Sequence, residues 1–182
     1  MLIRPATVTD AQALGELHVR VWNETYRGIM PDTLLDRLDA EKSAQTWREQ
    51  MPALREKRQT LVVAEAGGAL VGFAGCGPRR KEKLASDGEI YMINIASTAK
   101  RRHTGTRLML AMAGALTADG FEDVGLWVLE KNLPARAFYE RLGGTPGLVS
   151  EEDHDGVTLT DVAILWPRVE LLTERTNFVL AT

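Results

Sequence analysis

Residues 60–77, TLVVAEAGGALVGFAGCG, restrict the fold more than any other stretch. Two apolar runs meet at Gly67-Gly68, and a two-residue glycine connection joins strands that run antiparallel. A third apolar run, EIYMINIA at 89–96, extends the hairpin to a meander. Ahead of it, Leu2 and Ile3 begin a short strand that Pro5 ends or places at an edge. Thr9 or Asp10 caps the helix AQALGELHVRVW, whose Leu14, Leu17 and Val21 recur at helical spacing until Gly28 and Pro31 intervene. Two polar-rich helices follow at 32–38 and 41–57. After the meander come a mostly apolar helix at 105–118, the strand VGLWVLE, the short helix PARAFYERLGG, and strands near 145–150 and 157–166. Helices, then antiparallel strands, then alternation of strand and helix predict an α+β fold, with a mixed, mainly antiparallel central sheet flanked by helices on both faces.

No linker divides the chain, so residues 1–182 read as one domain, and that length suffices to bury roughly 70% of the unfolded surface. The segment 167–182 is either a C-terminal extension or an interface piece, its apolar VELLTERTNFVLAT burying against the parent domain or against a second copy in a homodimer. A formal charge of -3 is too small to recruit nucleic acid or an anionic membrane, so the cations at 100–102 are a local feature suited to a small anionic ligand. One cysteine, Cys76, forms no internal disulfide, and no CxxC or Cys/His cluster offers a metal site. No metal is expected. MLIRPATVTD lacks a signal-peptide core and no run approaches the roughly 18 apolar residues of a membrane span, which predicts a cytoplasmic protein.

The stretch 97–112, STAKRRHTGTRLMLAM, sets cations and a glycine directly before a helix. The first four amides of a helix have no internal partner, and its dipole adds about half a positive charge there. A strand entering such a helix through Lys100, Arg101, Arg102 and Gly105 builds a cradle for a phosphate or diphosphate, unless the run is only a solvated basic loop. GxxxxGK[ST] is absent, and the glycines of GFAGCG lie inside a strand in the wrong order for GxGxxG, which suits strand packing.

With these residues in place, the chain resembles the GCN5-related N-acetyltransferases, the GNAT family, from IRPATVTDA to the final strand. Their strand–(Q/R)xxGx(G/A)–helix element corresponds to Lys100 at the Gln/Arg position, His103 at the first glycine and Gly105 at the second. A second register begins at Arg102 and leaves Arg107 as the misfit; the first keeps the helix pattern intact. NLPARAFYERLGG is similar to the family's NxxAxxFYxxxGF, matching at Asn132, Ala135, Phe138, Tyr139 and Gly143, with Gly144 where an aromatic is usual. The resemblance implies the acyl-CoA N-acyltransferase fold and acetyl-CoA as cosubstrate. It implies cofactor contacts at Ile93, Asn94, Ile95, Arg101, Arg102, His103, Thr104, Gly105, Thr106, Asn132 and Tyr139.

Acetyl transfer to nitrogen needs an uncharged amine, and an amine of pKa about 10.4 is neutral in about one molecule in 2,500 at pH 7, a cost of about 4.6 kcal/mol. Glu89, at the start of its strand, resembles the acidic residue many relatives use and is the candidate base acting through water; otherwise it is an exposed strand-end carboxylate. The resemblance places Tyr139 to donate to the departing thiolate. A phenol near 10 is about 1.5 pH units too weak to protonate a thiolate near 8.5 fully, so its contribution is a hydrogen bond that strengthens as charge develops. A backbone N–H near Asn94 or Ile95 polarises the acetyl carbonyl in the same way. Without the motif, Tyr139 reads as a core aromatic beside Phe138. Trp22, Tyr26 and Arg27, in VWNETYRGIMP, either wall the acceptor pocket or serve helix packing. Cys76, inside an apolar strand with no histidine partner in view, is not a nucleophile. The expected activity is direct transfer of acetyl to a primary amine of a small molecule or peptide. The alternative is a non-catalytic acyl-CoA-binding regulatory module, favoured by His103 at a glycine position.

Overall fold

The computed structural model describes residues 1–154 and 156–182; Asp155 and the side chain of His154, which the sequence places in an acidic turn, lie outside the described residues. Among the described residues, seven strands form one sheet in the order β1-β2-β3-β4-β5-β7-β6. β1 (Leu2–Pro5) is an edge strand, as Pro5 requires, because proline has no N–H to donate to a ladder. β2 (Thr60–Ala66) and β3 (Ala69–Pro78) are joined by Gly67 and Gly68 at φ 60° and 77°, the conformation that two-residue hairpins demand of both positions. β4 (Gly88–Ile95) completes the antiparallel meander, and β5 (Val124–Leu129) joins it in parallel after a helical crossover. β6 (Thr145–His154) and β7 (Val157–Trp166) close the sheet as a hairpin, β7 pairing β5.

Helices cover both faces. On one side α1 (Ala11–Tyr26) and α3 (Ala40–Gln50) bury Leu14, Leu17, Val21 and Trp47 against Leu61, Val63 and Phe73. The short α2 (Asp32–Leu35) links them. On the other side α4 (Thr104–Ala118) and α5 (Leu133–Arg141) pack Leu108, Met109, Met112 and Tyr139 on Val62, Ala74, Ile90, Leu126 and Trp166. Each fully buried Leu or Phe of these layers contributes about 1.5–3 kcal/mol.

Three expectations change. Asp10 stands at the N-cap of α1, as one of the two expected residues, but its side chain does not cap that helix; it closes a capping box on Thr7, the N-cap of a 3₁₀ turn, Val8–Asp10, that leads into α1. The Asp10 carboxylate accepts from the Thr7 N–H at 2.8 Å and its hydroxyl at 3.0 Å, and both Asp10 oxygens take the Arg4 guanidinium at 2.8 Å. That pairing, ahead of the Thr7 bonds, holds Asp10 down to about 2. The helix expected over 41–57 leaves α geometry at Gln50 and passes into a single 3₁₀ turn, Met51–Ala53, because Pro52 removes a donor. Finally, the C-terminal segment is a helix, α6 (Val169–Ala181), that packs on α4 and places Val169 and Leu172 in the main core. Of the two occupants considered for this segment, the parent domain takes it.

Candidate active site

The geometry of the site begins with an interrupted ladder. β4 and β5 pair only at Gly88↔Val124 and Glu89↔Gly125; from Ile90 and Leu126 onward the two strands diverge. The cause is local. Against β3, Gly75 faces Met92 and the next residue, Cys76, faces Ile90, so Tyr91 is an extra residue on β4. Such a bulge bends its strand and raises its twist, here just past the last rung shared with β5. The β5-facing edge of β4 beyond Glu89 is thereby unpaired, and its backbone groups are available to an extended ligand. Ile93 and Ile95 lean toward α4, while Asn94 is buried in the ladder opposite Phe73.

At the open end of this gap, residues 97–99 make a 3₁₀ turn and α4 starts at Thr104. His103 is the N-cap residue with φ 59° and ψ 10°, and no side chain caps the helix, so the first amides of α4 have no protein acceptor there. Arg101 also stands at φ 59°. Arg101, Arg102 and His103 are exposed around those amides. Thr104 and Thr106 are 1% and 4% exposed, and the Thr104 hydroxyl donates to the Ala99 carbonyl at 2.8 Å, which leaves their backbone N–H groups as the ligand-facing part. The turn is moored to α1: Ser97 N–H donates to Glu24 at 3.1 Å and Lys100 to the Thr25 hydroxyl at 3.5 Å. Uncapped amides, positive side chains and an unpaired strand edge suit an anionic group that continues into an extended arm.

α5 approaches from the side of α4. Asn132 caps it, the amide oxygen accepting from the Ala135 N–H at 3.4 Å. Tyr139 is 9% exposed, its ring edge-on to Trp166 with centroids 6.4 Å apart. Burial pushes the phenol well above its ordinary value, and Tyr26 adds to the rise. Tyr26 ends α1 on the opposite face of the sheet, and its own phenol is raised by burial and then by the charge of Asp161 on β7.

The three acceptor-wall candidates lie together. Trp22 stacks edge-on between His18 and Tyr26, with centroids 5.0 and 5.1 Å away. Arg27 is exposed and pairs with Asp32 at 2.9 Å and Asp36 at 2.5 Å, which holds the turn after α1. That turn lines a cleft of about 350 Å³ formed by residues 28–32, Lys131 and residues 157–159. Arg27 itself is a brace of the turn.

Glu89 is 1% exposed, so the alternative of an exposed strand-end carboxylate does not hold. Its oxygens accept from the Arg80 backbone N–H at 2.7 Å and from the Arg80 guanidinium at 2.7 and 3.2 Å. Cys76 is buried, its thiol pushed up to about 12 by burial and then by the charge of Asp119, as expected of a packing residue. Arg80, Lys131, Asp161 and residues 157–159 carry no motif. Only the run RRKEK hinted at cations near 79–83, and nothing in it singled out Arg80.

The sequence profile described as the Acetyltransferase (GNAT) family matches residues 17–144. The chain is similar to the uncharacterized N-acetyltransferase YuaI of Bacillus subtilis (strain 168), with 30% identity over 172 residues, 93% of this chain and 95% of that protein. Among solved structures, the PaiA N-acetyltransferase of Thermoplasma acidophilum in complex with coenzyme A superposes with a TM-score of 0.68 at 20% identity, over 88% of this chain and 96% of that one. YncA of Salmonella typhimurium, solved with acetyl-CoA, gives 0.68 at 16% identity, over 92% and 93%.

Proposed function

Because the chain belongs to the GNAT acetyltransferase family, we propose that it moves an acetyl group from acetyl-CoA directly to a primary amine of a small molecule or peptide, in the cytoplasm. The observation that carries this reading is the gap between β4 and β5, with uncapped α4 amides at its open end. When bound, acetyl-CoA supplies the thioester carbon that the amine attacks and the thiolate that leaves.

The residues of the chain divide the remaining work. The amides of Thr104, Gly105 and Thr106 hold the diphosphate, with Arg101, Arg102 and His103 around it. Ile93, Asn94 and Ile95 offer strand backbone to the pantetheine, and an N–H of this edge polarises the acetyl carbonyl. Asn132 fixes the start of α5 and so the reach of Tyr139. The Tyr139 phenol, raised further by burial, gives up no proton outright; its part is a hydrogen bond to sulfur that strengthens as the C–S bond breaks. Glu89 accepts the amine proton through water once Arg80 releases it. Trp22 and Tyr26 wall the acceptor, and Arg27 holds the turn that follows them. His103, the feature that favoured a non-catalytic module, adopts the left-handed backbone that glycine takes readily, so it does not deny the loop this shape.

Release of free thiol from acetyl-CoA with a panel of primary amines tests the activity. Tyr139→Phe is expected to lower kcat by about 10²-fold or more while the dissociation constant for acetyl-CoA stays within about twofold. An unchanged rate removes Tyr139 from the acid role.

A further inference from the structure

The carboxylate assigned above as base is covered by a cation of the chain itself. Two Arg80 side-chain nitrogens donate to one Glu89 oxygen at 2.7 and 3.2 Å, the Arg80 backbone N–H donates to the other at 2.7 Å, and the guanidinium carbon lies 4.2 Å from the centroid of the Tyr91 ring. Tyr91 is fixed in turn, its hydroxyl donating to the Pro78 carbonyl at 2.6 Å. Exposure of the partners is unequal: the Glu89 side chain is 2% exposed and the Arg80 side chain 51%. Carboxylate and ring thus form the floor of a small box, and the guanidinium is its solvent-facing plug. A carboxylate on one side and an aromatic face on the other is an arrangement that holds organic cations.

We propose that Glu89 and Tyr91 form the subsite for the cationic acceptor amine, and that Arg80 is its resident competitor, displaced when the acceptor's ammonium enters. The proposal rests on the reading of Glu89 as base and adds what governs access to it. The Arg80 side chain is free to leave because it is itself half exposed, while the segment that carries it stays anchored by Leu84, which is 0% exposed, and by the Arg79 N–H donating to the Asp87 carbonyl at 2.8 Å. It does not leave without a replacement, since a buried carboxylate stripped of its partner is strongly disfavoured. Release is therefore coupled to arrival of another cation. In the absence of an amine, the plug also keeps Glu89 from activating water against the thioester.

Methylguanidinium, which matches the end of the arginine side chain, is the probe. Arg80→Ala is expected to bind it at least tenfold more tightly than the unsubstituted protein by calorimetry, and Arg80→Ala with Glu89→Gln loses that binding. Arg80→Ala is also expected to hydrolyse acetyl-CoA several-fold faster without amine, and methylguanidinium suppresses the excess. A variant that retains its melting transition and acetyl-CoA affinity yet binds methylguanidinium no better than the parent overturns the proposal. Should Arg80→Ala not fold, Arg80→Lys replaces it, and amine-free hydrolysis and methylguanidinium affinity both equal to the parent's overturn the proposal in the same way. Failure of the base assignment reads differently: Glu89→Gln then leaves the transfer rate unchanged, while methylguanidinium still binds to Arg80→Ala.

Discussion

Arg101 and His103 both hold φ at 59°, a conformation that costs an ordinary residue about 1–2 kcal/mol. The strain lies where the chain turns from β4 into α4, and it aims the uncapped amides of the helix at the loop. His103→Gly relieves that cost but loosens the unfolded chain by about 0.4–1 kcal/mol, so a net gain of up to about 1.6 kcal/mol is expected from urea denaturation. His103→Val, β-branched and ill suited to positive φ, is expected to lose stability in the same assay. A stability loss with glycine would instead assign the imidazole a stabilising contact. The sequence marks position 103 as one that relatives fill with glycine, yet it says nothing of Arg101, because a left-handed residue flanked by cations has no compositional signature.

Between elements, Gly105 decides how closely α4 approaches its neighbours. A Cβ there would stand 3.0 Å from Phe138 Cζ on α5 and 3.1 Å from Ile95 Cδ1 on β4. The motif glycine therefore makes room for side chains of two other elements besides bringing backbone near a ligand. Gly105→Ala is expected to cost about 1–3 kcal/mol through overpacking and to weaken acetyl-CoA binding, since Phe138 and Ile95 must shift to admit the methyl group. Gly114, with nothing within 4 Å of its would-be Cβ, is the control: Gly114→Ala is expected to stabilise by about 0.5–1 kcal/mol with affinity unchanged. Equal effects at the two positions would mean that Phe138 yields at no cost. The elements themselves were legible, since helical spacing, a Gly-Gly turn and apolar strands are local signals. The bulge at Tyr91 was not, because it exists only in the pairing of β4 with β3.

At the scale of the molecule, two cores lie on opposite faces of one sheet, and α6 belongs to the one under α4. Truncation after Trp166 uncovers the sites of Val169 and Leu172, both 0% exposed, and removes about 3–6 kcal/mol of burial. The shortened chain is expected to melt well below the parent at every protein concentration. If the segment served only an interface between copies, the loss would vanish on dilution. An apolar tail in sequence reads equally as core or interface, and only the adjacency of α6 to α4 separates them.

By itself the sequence determined the kinds and order of the elements up to β7 and the basic loop that enters α4, because hydrophobic period, turn chemistry and a basic helix entrance act over a few residues. Tertiary structure decided what those parts do together. The divergence of β4 from β5, the electrostatic reach of Tyr26 to Tyr139 across the sheet, and the guanidinium of Arg80 over Glu89 depend on register and on charges meeting in a poorly solvated space. Such meetings join residues that share no local pattern, and their energies exist only once the chain has closed around them.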